Sequence, residues 1–225
     1  MGRRRVLDST PIYDAVATMD TVTLTRSAIR GLLRVAEGDL GGALRVVLER
    51  DDDYATAGKP ACDYDDPVAR ATLVDGLAVD GHACLGVLAG RQLPGPVAQA
   101  GQLLATVLGQ DLAENVDGQF LIARRVAPDR VISIVDPQAR HGRKSCAHGF
   151  DGYKGHVGID PDSEIITATA VTAGNVRRRR CCDRFARRRP AYPCHHGPAH
   201  RRHGQRHGQQ RERGERSRRA VGRLR

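Results

Sequence analysis

Ile12, Val16 and Met19, then Ile29, Leu32 and Leu33, recur at the three-to-four-residue spacing that lines up side chains on one face of a helix. Thr10 followed by Pro11 supplies a start for that helix, with threonine as N-cap and proline at the first helical position. Gly38 is a stop signal. A second helix is expected from Leu40 to Glu49, with Leu40, Leu44, Val47 and Leu48 as its apolar stripe. Asp66-Pro67 caps a third, which would bury Val68, Leu73, Leu77, Cys84, Leu85 and Leu88. A fourth follows Pro96, with Leu103, Leu104, Val107 and Leu108 inward.

On either side of these helices the pattern changes. Arg3-Arg4-Arg5-Val6-Leu7-Asp8 reads as a short strand that carries a carboxylate at its end. Phe120 to Arg125 and Arg130 to Val135 read as strands around Ala127-Pro128-Asp129. Gly152 to Asp160 and Ile165 to Thr172 flank Pro161-Asp162-Ser163, a hairpin signal. Val157 and Ile159 alternate with His156 and Gly158, as in a half-buried strand. The order of strand, helices and strands predicts an α+β domain whose sheet is interrupted by a helical insertion at about 11–118.

Charge divides the chain in two. Up to Val176 there are 18 Lys and Arg against 23 Asp and Glu, a net charge of −5. From Arg177 onward there are 18 Arg, no Lys and three acids, a net charge of +15. No Ile, Leu, Val or Met occurs from 177 to 220, too little apolar surface to offset the entropy of ordering the chain. A folded domain over 1–176 and a disordered basic tail over 177–225 are therefore expected. No run approaches the roughly 18 apolar residues of a membrane span, so no membrane partner is expected. The six Cys have no disulfide-framework spacing, which suits a reducing cytoplasm.

Several residues invite a chemical reading. Asp8, where an apolar strand ends, is the type of carboxylate that binds paired Mg²⁺ ions in enzymes that cut or join phosphodiesters. A lone Asp before Ser-Thr-Pro is more often a turn or helix cap. Asp136, in Ile134-Val135-Asp136-Pro137, carries the same two readings. Arg140, His141, Arg143, Lys144, His148, Lys154 and His156 form a basic, glycine-punctuated stretch that could meet a phosphate backbone or simply be solvated. The acidic loop from Asp51 to Asp66 lacks the spaced ligands and glycine of a calcium loop. The Cys and His of the tail lack the spacing of a zinc site. No Walker loop, GxGxxG, HExxH or GxSxG occurs.

VLDSTPIYDAVATMDTVT near the start, and APDRVISIVDPQARHGRKSCAHGFDGYKGHVGIDPDSEIITATAVTAGN later, resemble DDE transposases of bacterial insertion sequences, in the IS-four-like superfamily. The resemblance spans most of 6–175, and its DPxAR…GYKxH block is the more specific part. It implies a ribonuclease-H-like sheet flanked by helices, in which two Asp and one Glu hold two Mg²⁺ ions for strand cleavage and transfer. Asp8 matches the first catalytic and metal-binding Asp. Lys154 and His156 fall in the GYKxH segment, for which the resemblance implies a DNA-facing role, and Arg140, Arg143 and Lys144 of the basic stretch before it complete the candidate DNA contacts.

The second Asp and the Glu would follow Gly174-Asn175, where this chain instead runs into RRRRCCDRFARRRPAYPCHHGPAH, the composition of a GC-rich gene read out of frame. Asp183, Glu212 and Glu215 have no strand-like context that would replace them. The resemblance therefore implies a frame-disrupted transposase with a partial ribonuclease-H-like core and one catalytic carboxylate of three. Its partners would be DNA and intact transposase, and DNA binding would place it on the nucleoid. Two other readings stand beside it: a non-catalytic nucleic-acid-binding protein that grips phosphates with its arginine tail, and a remnant that inhibits intact transposase.

Overall fold

The computed structural model describes residues 6–13, 18–145 and 148–177. It is a mixed α+β structure with four helices and two antiparallel sheets. The disorder expected of the tail concerns residues that, Arg177 apart, lie outside the described ones, as does Val16.

The first strand, β1 (Val6–Tyr13), is longer than its sequence predicts. It runs antiparallel to β5 (His148–Ile159), with Asp8 opposite Val157 and Pro11 opposite Lys154. Thr10 and Pro11 are thus strand residues, which corrects the expected helix start. Proline is tolerated in an edge strand because its missing N–H can face away from the ladder. Eight paired residues outweigh the local Thr-Pro signal.

The first helix, α1 (Thr21–Val35), begins later, capped by Asp20, whose carboxylate accepts from the Thr23 N–H at 2.8 Å. Ile12 and Met19 precede it, so their helical spacing is coincidental. Next come α2 (Gly38–Val46), α3 (Pro67–Leu88) and α4 (Gly95–Asp111). As the sequence suggests, Asp66 caps α3 by accepting from the Val68 N–H at 2.9 Å. Leu24, Ile29, Leu32, Leu44, Leu77, Leu104 and Val107 form the centre of the helical core. Val68, expected inside, is exposed. By length and composition α3 alone among the described helices is apolar enough to cross a membrane, but Leu73, Leu77, Asp80, Cys84 and Leu88 are buried in the helical core.

After α4 a small hairpin, β2 (Leu112–Glu114) with β3 (Phe120–Ile122), lies against α3 through Asp75, which accepts from the Phe120 N–H at 2.8 Å. The strand expected at Arg130 to Val135 is absent. Val131, Ile132 and Ser133 are buried all the same, and a side chain does part of a ladder's work. The Gln110 amide accepts from the Val131 N–H at 2.9 Å and donates to its carbonyl at 3.0 Å, while the Met19 N–H donates to the Ile132 carbonyl.

The basic, glycine-punctuated stretch after Asp136, for which no strand is expected, holds β4 (Arg140–Ser145), paired with the start of β5. The hairpin of β5 with β6 (Ile166–Ala173) forms as its sequence predicts. Strand β5 is central, with β1 along one edge and β6 and then β4 along the other. Glycine is required where β4 meets the end of β6: a Cβ on Gly142 would strike the Gly174 carbonyl, and one on Gly174 the Arg140 carbonyl.

Candidate functional site

Side chains of a strand alternate between its faces. Along β5, Phe150, Gly152, His156 and Gly158 are buried, while Tyr153, Val157 and Ile159 are partly exposed. The apolar pair therefore lies on the more open face and the histidine on the closed one. Across three strands the closed face carries the row Ser9, His156 and Thr172. Ser9 Oγ lies 2.7 Å from His156 Nδ1, and His156 Nε2 lies 2.8 Å from Thr172 Oγ1. Thr172 Oγ1 donates to the Ala173 carbonyl, so it must accept from Nε2–H. In the neutral ring Nδ1 then accepts from the Ser9 hydroxyl. The imidazole is a hydrogen-bonded spacer that ties β1 to β6.

Asp8 stands on the other face of β1 and is exposed. One of its carboxylate oxygens accepts from the Ser9 N–H at 2.7 Å. Its cross-strand neighbours in register are Val157 on β5 and, beyond it, Thr169 on β6, neither a carboxylate. Among the described residues no three His, Cys, Asp or Glu side chains come together as ligands for a metal. The donor set here is one carboxylate, which does not fit a two-Mg²⁺ site.

The other candidates divide by exposure. Arg143 and Lys144 on β4 are exposed. Arg140 is turned to structural work: its side chain binds Asp129 and donates to the Pro137 and Ala139 carbonyls. Lys154 Nζ donates to the Val176 carbonyl at 3.3 Å and lies over the Phe150 ring. His156 is 0% exposed, with its ring held between Ser9 and Thr172 rather than open at the surface. Asp136 follows the turn reading: it accepts from the Gln138 and Ala139 N–H groups, and both its oxygens accept from Tyr153 Oη, at 2.7 and 2.8 Å.

Carboxylates of the acidic loop are likewise engaged locally. Asp52 takes a two-pronged contact from Arg26, with both N···O distances at 2.7 Å. Asp53 and Asp63 turn the backbone through the N–H groups of Ala55 and Asp65.

One polar pairing was not singled out in the sequence. His141 Nδ1 lies 2.7 Å from Asp151 Oδ1, and Thr18 donates to Asp151 Oδ2 at 2.7 Å. Burial opposes ionisation of Asp151, but these two hydrogen bonds outweigh it and hold the carboxyl below its usual range. The signal was available only once 140–145 is known to be a strand opposite 148–152. Compared with protein-family models, characterised proteins and solved structures, the chain matches none.

Proposed function

We propose that this chain is a DNA-associated, catalytically incomplete transposase of the DDE type, whose described sheet is the first part of a ribonuclease-H-like core. The observation that carries the reading is the placement of Asp8 on β1, in register with the central strand of the antiparallel array β1–β5–β6. A metal-dependent phosphodiester site needs its first carboxylate on a rigid strand of this kind, with others brought alongside. The four helices between β1 and the later strands suit the helical insertion that the order of elements along the sequence predicts.

The incompleteness rests on donor count. Asp8 offers one carboxylate, and the segment in which the others are expected is arginine-rich and contains Asp183, Glu212 and Glu215, all outside the described residues. No phosphoryl-transfer step is therefore assigned to the chain. Its net charge of +15 from Arg177 onward supports contact with a phosphate backbone without sequence preference.

The deciding experiment restores the gene's alternative reading frame downstream of Val176. The corrected chain should nick DNA in Mg²⁺ and lose that activity on Asp8→Ala. A corrected chain that opens no strand-borne Asp and Glu, or cleaves equally well without Asp8, overturns the reading.

A further inference from the structure

A cleft of about 490 Å³ opens between the approach to α1, the end of α4, the loop at 123–130 and strands β4 and β5. The chemistry proposed for Asp8 makes no use of it. Its size falls within the roughly 300–1,000 Å³ of small-molecule sites, which are commonly found where structural layers meet. Part of the lining is apolar, with Ile122, Val126, Pro128 and Ile132 among its residues.

The carboxylates in and beside the cleft already have hydrogen-bond partners within the chain. Asp111, almost wholly buried, takes two hydrogen bonds from Arg130, at 2.7 and 2.6 Å, and a third from Thr21. Asp151 is held by His141 and Thr18. Asp129, bonded to two residues of the lining, takes Arg140 and the Asn175 amide N–H, the latter at 2.6 Å.

Cationic and acceptor groups are left over. Arg125 lines the cleft, is exposed, and has no hydrogen-bond or ion-pair partner among the described residues. Since Asn175 donates to Asp129, its amide oxygen remains as an acceptor on the same lining.

A guanidinium with no carboxylate to meet is suited to a phosphate, which it grips with two parallel hydrogen bonds. Phosphate alone would leave the apolar residues bare. A flat, weakly polar body with an amino edge would cover them and donate to the Asn175 oxygen. We propose that the cleft binds a nucleoside 5′-phosphate, with its phosphate on Arg125 and its base along Val126 and Pro128. The nucleotide is either free or a unit of a DNA strand. The site is independent of whether the chain ever cleaves DNA.

The test is calorimetric titration of the full chain with dAMP, with sodium phosphate and with a short single-stranded oligonucleotide, in enough salt to screen the arginine-rich segment. dAMP should bind at least about tenfold more tightly than phosphate, and Arg125→Ala should weaken dAMP by about tenfold or more. Ala127→Phe, which fills the cleft, should abolish dAMP binding while circular dichroism stays unchanged, and Arg91→Ala should have no effect. If the oligonucleotide displaces dAMP and loses affinity with Arg125→Ala, the nucleotide is a strand unit. If it does neither, the nucleotide is free. Equal affinity for phosphate and dAMP, or dAMP binding indifferent to Arg125→Ala, overturns the proposal. Should Ala127→Phe fail to fold, the exposed Arg125 decides alone.

Discussion

Asp80, fully buried in the middle of α3, accepts a 2.5 Å hydrogen bond from the hydroxyl of Tyr54, a residue of the acidic loop. Its other oxygen accepts from the Glu49 N–H at 2.7 Å, so one carboxylate pins the chain both just beyond α2 and at Tyr54 in the loop that follows. Burial, and then the bond to Asp80, push the Tyr54 phenol far above its usual range. Tyr54→Phe removes one of two partners from a buried acid and should cost about 1–3 kcal/mol in urea unfolding. A variant as stable as the parent would show that Asp80 does not depend on that hydroxyl.

Arg26 and Asp52 make the second anchor of the same loop, with side chains only 6% and 10% exposed. Arg26 also donates to the Thr56 and Gly58 carbonyls. Asp52→Ala strands a buried guanidinium and should cost about 3 kcal/mol. The bond from Arg26 holds the Asp52 carboxyl below its usual range against the opposing pull of burial. A carboxyl depressed in the folded state contributes stability that is present above the unfolded pKa, about 3.9, and lost as pH falls through the lower folded value. Asp52→Asn should therefore flatten the loss of stability below about pH 4. An unchanged acid slope would move that dependence to Asp20, Asp129 or Asp151, whose carboxyls are also depressed.

The Gln110 amide stands in for a strand beside Val131. Gln110→Ala would orphan the Val131 N–H and carbonyl, and should cost about 2 kcal/mol, more than an exposed helix substitution does. Hydrogen exchange at Val131 should speed up in the variant. Protection equal to the parent's would mean that water replaces the amide without loss.

What was legible in the sequence follows from this contrast. The helices α3 and α4 and the β5–β6 hairpin were readable because caps, periodicity and turn residues agree locally. Arg130 to Val135 has a strand's composition, yet its partner is a side chain on α4, which no local pattern announces. Thr10-Pro11 sends a helix-start signal that pairing with a strand over 140 residues away overrides. Strand β4 is rich in charge and glycine, and only its register with β5 marks it as a strand. The strand bearing His156 was legible, but its parity was not. Three hydroxyl and imidazole groups in a row satisfy one another, so the polar side of β5 is the one that closes.

That parity separates stability from DNA binding. His156→Ala breaks both hydrogen bonds of a buried ring and should destabilise the chain by about 2–4 kcal/mol. Its affinity for DNA, measured well below the unfolding temperature, should stay within about twofold, since the ring reaches no surface. In a chain ending at Val176, Arg143→Ala with Lys144→Ala should reduce the slope of log K against log salt by about one per residue removed. A DNA defect in His156→Ala without loss of stability would place the ring in contact with the strand after all.

The final expectation concerns Asp8, and it is negative. Two-metal phosphoryl transfer needs carboxylates that bridge ions roughly 3.5–4 Å apart, one ion activating the nucleophile and the other taking charge from the leaving oxygen. Asp8 is exposed, accepts from its neighbour's N–H, and faces Val157 across the ladder. One carboxylate in open water competes poorly for a strongly hydrated ion. Millimolar Mg²⁺ or Mn²⁺ should leave the melting temperature unmoved, because a ligand that binds the folded state weakly stabilises it little. The chain should neither nick nor join plasmid DNA. Asp8→Ala, a surface change, should shift stability by no more than about 0.5 kcal/mol. Metal-dependent nicking that vanishes in Asp8→Ala would mean that further carboxylates reach Asp8 from Asp183, Glu212, Glu215 or a second copy of the chain.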